Sequence, residues 1–297
     1  MSCMATLTSL IHIGLGKAGS TYIQDYFRRH RSVRLFSPLN AICEHAASRA
    51  SGARVELAPD ISFSSASLDD PAVVTVYSDE RLSVWDGGPA AAGRCDYELR
   101  RYQEAARDVL WTHFPEAYIL LVTRNAFDWA RSVYSQYVKS GGTMDFDAYL
   151  TDQDAFLKQG SDVGFLRGLY ASRFGEDRLL VLPFEDLARD DSAFLRRICE
   201  FIGIDCEPPS ETLRRNRGLS LDDLSFFREI NRFVNDALAS APQVERDEFI
   251  VRYNALLRRF IGLTVERNGL ALLDCSSAGT NFKRTTADRV SNMPSTI

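Results

Sequence analysis

The sequence has no apolar run approaching the ~20 residues that a membrane-spanning helix requires. Its N-terminus also lacks the positively charged region and the long apolar core of a secretory signal before the first predicted strand. We therefore expect a cytoplasmic protein without stable membrane insertion.

Features of metal-binding and polyanion-binding proteins are also scarce. The six cysteines are scattered without a Cys-x-x-Cys pair, and no histidine cluster accompanies the closest two, Cys199 and Cys206. This pattern predicts reduced thiols and no bound metal. The net charge of −5 argues against a nucleic-acid-binding surface, so any anion site has to be a local basic patch.

What the chain does contain is a regular alternation of short apolar runs and helical patterns over its 297 residues. The predicted strands are Leu10–Gly14, Val33–Phe36, Val73–Tyr77, Tyr118–Thr123 and Leu179–Pro183. The predicted helices are Thr21–His30, Tyr97–His113, Phe127–Lys139, Val163–Phe174 and Ser192–Ile202. The alternation predicts an α/β fold, a three-layer sandwich with a central parallel sheet, whose ligands bind at the carboxyl ends of the strands.

The other segments carry weaker patterns. Residues 45–70 have little periodicity and are predicted as loop, whereas the stretch from Leu219 to about Arg267 predicts two C-terminal helices. The residues from Asp274 on are polar and rich in Ser and Thr. We predict a single domain over 1–273 followed by a polar tail at 274–297.

Residues 11–21, which read Ile-His-Ile-Gly-Leu-Gly-Lys-Ala-Gly-Ser-Thr, hold the most informative motif. A predicted strand runs into a glycine-rich turn that contains Lys17, and a predicted helix begins after the Ser20-Thr21 pair. Backbone N–H groups of such a turn can surround an anion, and the helix N-terminus adds partial positive charge. The motif predicts a phosphate or sulfate site.

The order of residues in this turn separates it from an ATPase loop. A Walker A loop ends in Gly-Lys-Ser/Thr, whereas here Lys17 precedes Ala18, Gly19, Ser20 and Thr21. The segment resembles the 5′-phosphosulfate loop of sulfotransferases that use 3′-phosphoadenosine 5′-phosphosulfate (PAPS), usually Lys-x-Gly-Thr-Thr. The resemblance implies a P-loop-NTPase-like fold, PAPS as sulfuryl donor, its bisphosphate PAP as product, no metal, and donor contacts from residues 17–21.

A second motif follows the predicted strand Tyr118–Thr123. Arg124 stands at the carboxyl end of that strand and Ser132 lies in the next predicted helix, a spacing that resembles the family's 3′-phosphate motif. An arginine fork binds a dianionic phosphate through two N–H donors, and a serine hydroxyl adds one more. Taken alone, Arg124 could be a surface ion-pair partner and Ser132 a helix-face hydroxyl. The family more often has aspartate where Asn125 stands.

Two further segments resemble the family less closely. Residues 179–187 are similar to its strand followed by Tyr-Glu-Asp-Leu, with Phe184 in place of tyrosine. The basic segment Arg214–Ser220 stands where cytosolic members have an Arg-Lys-Gly loop for the 3′-phosphate, so Arg217 and Gly218 are candidate donor contacts. The alternative is a solvated loop that caps the helix beginning at Leu221.

The family resemblance also implies a catalytic base and a role for Lys17. Ser78-Asp79-Glu80 resembles the Ser-Ser-Glu segment of bacterial members, which makes Glu80 the preferred base and Asp79 the second choice. Glu80 could instead pair with Arg81 or cap a helix. Lys17 is expected to neutralise charge on the oxygen that bridges sulfur and phosphate. His12 is predicted as a buried core residue, and His30 and His45 as surface positions.

The resulting prediction is transfer of a sulfuryl group from PAPS to a hydroxyl or amine of a small-molecule, sugar or lipid acceptor. Segments 38–70, 85–96 and 139–162 are predicted as loops that wall the acceptor cleft. The alternatives are a P-loop nucleotide kinase, or a catalytically inactive sulfotransferase-like protein that binds PAP. The oligomeric state is left open.

Overall fold

The computed structural model describes residues 8–52, 74–84, 98–209 and 219–239, together with residue 242 and the short stretches 249–253 and 255–257. The described residues fall into two compact units. The first holds the residues up to Ala126 and those from residue 155 to residue 209. The second holds Phe127–Asp154 and the described residues from 219 on. The predicted tail at 274–297 lies outside the described residues.

A five-stranded, fully parallel sheet forms the centre of the first unit. Its strands are β1 (Thr8–His12), β2 (Val33–Phe36), β3 (Val74–Ser78), β4 (Tyr118–Thr123) and β5 (Leu179–Pro183), in the order β2-β3-β1-β4-β5. Every pairing is parallel, with His12 opposite Ser78 and Leu120 in neighbouring strands. The carboxyl ends of β1, β3, β4 and β5 therefore meet at one edge of the sheet.

Helices of the first unit flank this sheet and complete the α/β sandwich that the sequence predicts, whereas the helical residues at 127–139, 146–152 and 221–237 belong to the second unit. The helices are α1 (Ser20–Arg29), α2 (Asn40–Ala50), α3 (Leu99–His113), α4 (Ala126–Lys139), α5 (Phe146–Asp152), α6 (Asp154–Gly160), α7 (Val163–Phe174), α8 (Phe184–Arg189), α9 (Asp191–Ile202) and α10 (Leu221–Ala237). Residues 249–253 and 255–257 are also helical. The five predicted strands are present, and so are the five predicted helices, with small shifts at their ends.

Three predictions about individual residues and segments are wrong. α2 lies within the segment 38–70 predicted as loop, because its buried face includes small residues, among them Ala46 and Ala50, that pack against Tyr102 of α3. The segment 139–162 contains the short helices α5 and α6. His30 and His45, predicted at the surface, are only 4% and 8% exposed.

The core follows directly from the apolar patterning. All residues of β4 after Tyr118 are buried, as expected for a parallel strand that is covered on both faces. In α1 the buried apolar side chains Tyr22, Ile23, Tyr26 and Phe27 recur at helical spacing on one face. This packing fixes the start of α1 close to the carboxyl end of β1.

Candidate active site

The glycine-rich loop, residues 13–19, joins β1 to α1 at the carboxyl edge of the sheet. The backbone N–H groups of Ile13 and Leu15 donate to the carbonyls of Leu120 and Val122 at 2.9 and 2.8 Å, so the loop begins along β4. It then turns back, and the N–H of Ala18 donates to the Leu15 carbonyl at 3.1 Å. The loop is thus anchored to the sheet at its start.

Two residues of this loop adopt left-handed backbone conformations. Gly19 has a φ of 84° and Lys17 a φ of 68°. A positive φ is ordinary for glycine, but it costs a residue with a Cβ about 1–2 kcal/mol. Lys17 is exposed, so burial does not account for its conformation. Strain of this kind is concentrated at functional sites.

The start of α1 has hydrogen-bond donors that the described chain leaves unused. No hydrogen bond within the described residues involves the backbone N–H of Gly19, Ser20 or Thr21, as expected for the first turn of a helix. The Ser20 hydroxyl is also buried, and no described residue bonds to it. By contrast, α9 has an aspartate N-cap, Asp190, that accepts such an N–H. The donors at α1 fit a phosphate or sulfate group.

Glu80 lies beside this loop. It begins a single 3₁₀ turn, Glu80–Leu82, directly after β3. A Cβ added at Gly16 would lie 3.9 Å from Glu80 Cγ, so the side chain approaches the loop closely. Glu80 is half-buried, and within the described segments its carboxylate has no hydrogen-bond or ion-pair partner.

Asp79, the second choice for the base, is fully engaged in holding the turn. Its carboxylate accepts from Arg81 Nε at 2.9 Å and Arg81 Nη2 at 2.6 Å, and from the backbone N–H groups of Leu39 and Arg81 at 2.8 and 3.0 Å. Burial alone would raise the pKa of Asp79, but these hydrogen bonds outweigh it and the pKa is lowered. Arg81 therefore pairs with Asp79, and not with Glu80.

Arg124 reaches the glycine-rich loop from the end of β4. Its Nη1 donates to the Lys17 carbonyl at 2.6 Å, and its Cζ lies 4.9 Å from the centroid of the Phe184 ring. The next backbone N–H, of Asn125, donates to Glu185 Oε1 at 2.9 Å. The structure thus brings together the loop, Glu80 and Arg124, which are far apart in the sequence.

A buried hydrogen-bond network lies beneath the loop. His12 Nδ1 and Ser78 Oγ are 2.8 Å apart, and Gln24 Nε2 donates to the same hydroxyl at 3.1 Å. A Cβ added at Gly14 would lie 2.6 Å from His12 Nε2, so the imidazole supports the loop backbone. Burial lowers the pKa of His12 to about 4, because desolvation outweighs the attraction of Asp79. His12 is a buried residue, as the sequence predicts.

The remaining sequence-predicted donor contacts are Ser132, Arg217 and Gly218. Ser132 is half-buried in α4 and belongs to the second unit. Arg217 and Gly218 lie outside the described residues. In the part of the chain that the structure describes, no three His, Cys, Asp or Glu side chains are grouped as a metal site, and no helix is long and apolar enough to cross a bilayer.

A parallel sheet with a glycine-rich anion loop between its first strand and first helix defines the P-loop-like class of phosphate-binding α/β proteins. The chain belongs to the sulfotransferase family, whose family model matches residues 10–208. No sequence among the curated proteins matches the chain significantly.

The solved structures that match the chain include two sulfotransferases. A sulfotransferase from Alicyclobacillus acidocaldarius matches with a TM-score of 0.52 at 16% identity, over 82% of this chain and 99% of that one. The mouse sulfotransferase SULT7A1, solved in complex with PAP, matches with a TM-score of 0.39 at 12% identity, over 86% of this chain and 90% of that one. The bacterial structure shows that the two chains share a fold.

Proposed function

We propose that the protein transfers a sulfuryl group from PAPS to a hydroxyl or amine of a small-molecule, sugar or lipid acceptor. Membership of the sulfotransferase family supports sulfuryl transfer in general. The observation that carries the proposal is the position of Glu80, whose Cγ lies next to Gly16 of the loop while its carboxylate has no partner among the described residues. A carboxylate placed there can take the proton from a hydroxyl or amine that lies at the sulfur of PAPS.

The donor contacts are proposed from the groups that face this edge of the sheet. The N–H groups of Gly19, Ser20 and Thr21 and the Ser20 hydroxyl are suited to a 5′-phosphate. Ala18, whose N–H donates to the Leu15 carbonyl, contributes by shaping the turn. In the proposal these groups bind and orient the nucleotide without a metal.

Two cationic side chains at this edge balance the negative charge of the nucleotide. The Lys17 ammonium stabilises charge that develops on the oxygen between sulfur and phosphate. Arg124 lies next to the loop and supplies a guanidinium for the second phosphate of the nucleotide. Ser132, Arg217 and Gly218 stay predicted contacts of the 3′-phosphate.

Glu80 is proposed as the general base, and its neighbour keeps it in place. PAPS supplies an activated sulfuryl group, so the protein's tasks are to position the reactants, to balance charge and to remove one proton. The Asp79–Arg81 pair fixes the turn from which Glu80 projects. Because Asp79 is occupied, it does not compete for the acceptor's proton.

A nucleotide titration and a transfer assay test the proposal. In calorimetry we expect PAP to bind more tightly than ATP with Mg²⁺, because the loop and Arg124 suit two separate phosphates. Incubation with ³⁵S-labelled PAPS and a panel of phenols, sugars, amines and lipids should label at least one acceptor. Tighter binding of ATP-Mg²⁺ would favour the kinase alternative, and PAP binding without transfer to any acceptor would favour the inactive one.

A further inference from the structure

The first turn of α8 lies directly against the end of the glycine-rich loop. A Cβ added at Gly19 would lie 2.7 Å from Leu187 Cδ2 and 3.1 Å from Phe184 Cδ2, which is too close for an ordinary contact. Gly19 is also the N-cap of α1. The side chains of Phe184 and Leu187 therefore set the position of the loop where it enters the helix.

The same turn of α8 holds Arg124. The guanidinium carbon lies 4.9 Å from the Phe184 ring centroid, within the ~6 Å range of a cation–π interaction. Glu185, the next residue, accepts the backbone N–H of Asn125 at 2.9 Å. One short segment thus contacts both the loop and the residue pair at the end of β4.

This arrangement suits a preorganised anion site. An arginine side chain is long and flexible, so its guanidinium loses conformational freedom when it binds a phosphate in one geometry. A guanidinium over a ring face has its position restricted before the ligand arrives. Phe184 can therefore reduce the entropic cost of phosphate binding by Arg124 without touching the nucleotide.

We propose that Phe184 is a positioning residue that gives the site its preference for a nucleotide with a 3′-phosphate. The inference rests on the proposed function, in which Arg124 binds that phosphate. It assigns a physical role to the phenylalanine that replaces the family's tyrosine. An aromatic face is the required property, so tyrosine at this position serves equally well.

This preference is measured by the dissociation constant of adenosine 5′-monophosphate (AMP) divided by that of PAP. AMP lacks the 3′-phosphate, so the ratio reports the combined contribution of the groups that bind this phosphate, and Arg124→Ala gives the share of Arg124. We expect Phe184→Leu to lower the ratio about 3- to 10-fold, since it removes the ring face and keeps apolar contact with Gly19. AMP affinity should stay within about 2-fold of wild type, and Phe184→Tyr should restore the ratio.

Two controls separate this effect from a general loss of stability. Phe201→Leu removes a ring that packs edge-on against Tyr118, at the other end of β4 from Arg124, and should leave the ratio unchanged. In an Arg124→Ala background, Phe184→Leu should not lower the ratio further. If Phe184→Leu does not fold, as judged by circular dichroism, Phe184→Met carries the comparison, because it fills more of the ring's volume without an aromatic face.

The outcomes distinguish the two proposals. A wild-type protein that binds AMP and PAP equally would overturn the assignment of Arg124 in the proposed function. If the wild type prefers PAP and the Phe184→Leu variant keeps this preference in full, the proposed function stands and the positioning role of Phe184 is overturned.

Discussion

Nη1 of Arg124 donates to the backbone carbonyl of Lys17 at 2.6 Å, although 107 positions separate the two residues in the sequence. The hydrogen bond joins the end of β4 to the loop that follows β1, and β1 and β4 are neighbours in the sheet. The two cations that the proposal assigns to the nucleotide are therefore parts of one local structure. Changes to either residue should affect how the other is presented.

Lys17 combines an ammonium that the proposal assigns to the nucleotide with an unfavourable backbone conformation. Lys17→Ala and Lys17→Gly should both lower kcat for sulfuryl transfer at least about 100-fold, since both remove the charge. Only Lys17→Gly relieves the positive φ of 68°, so it should be more stable than Lys17→Ala by about 1 kcal/mol. Urea denaturation and a ³⁵S transfer assay measure the two effects. Equal stability of the variants would contradict the strain.

The adjacent carboxylates of Asp79 and Glu80 should respond differently to loss of charge. Glu80→Gln should lower kcat about 10²- to 10³-fold and leave PAP affinity unchanged, because it removes a proton acceptor outside the nucleotide contacts. Asp79→Asn should lower the free energy of unfolding by on the order of 3 kcal/mol, because Asp79 is 3% exposed and bonded to Arg81. A kcat unchanged by Glu80→Gln would rule out the proposed base.

Gly19 and Gly52 form a matched pair for testing the contact between the loop and α8. Their φ values are 84° and 78°, but a Cβ at Gly19 would lie 2.7 Å from Leu187, whereas at Gly52 it would meet no atom of the described residues within 4 Å. Gly52→Ala should cost about 1 kcal/mol in unfolding free energy from backbone strain alone. Gly19→Ala should cost about 2–4 kcal/mol and weaken PAP binding. Thermal unfolding and calorimetry would show whether the costs differ.

His12 makes stability depend on pH in a defined window. Its pKa falls from 6.5 to about 4 on folding, so the unfolded chain binds more protons between these values. Stability therefore increases as the pH rises from about 4 to 6.5, by on the order of 3 kcal/mol, and is fully present above 6.5. His12→Asn, which can still bond to Ser78, should lose this dependence. If the unfolding free energies of wild type and variant depend on pH in the same way, His12 is not the cause of the dependence.

The alternation of apolar strands and amphipathic helices was sufficient to predict the sandwich, because buried parallel strands such as β4 are continuous apolar runs. It was insufficient for α2, whose buried face relies on small residues such as Ala46 and Ala50. Small side chains give little periodic contrast. The small side chains of α2 are buried only because α3 packs against them, and this packing is a tertiary contact that the local sequence does not show.

The candidate site was predictable where its residues form contiguous motifs. The glycine-rich loop and Arg124 both follow apolar strands, and parallel pairing brings them to the same edge. The different situations of Asp79 and Glu80 could not be predicted, because the choice of Asp79 as the partner of Arg81 and its bond to the N–H of Leu39, on a distant segment, depend on the fold. The contacts of Phe184 with Gly19 and Arg124 could not be predicted either, because they depend on three-dimensional packing.

The division of roles between Asp79 and Glu80 has a consequence for redesign of the protein. Asp79 holds the 3₁₀ turn through Arg81 and Leu39, whereas Glu80 contributes to the turn through its backbone carbonyl, which accepts from Ser83, and its side chain makes no hydrogen bond within the described chain. Histidine, aspartate or a neutral side chain can be introduced there while the turn keeps its shape. In the proposed function, this single position therefore offers a place to adapt sulfuryl transfer to acceptors of different acidity while the proposed nucleotide contacts are kept.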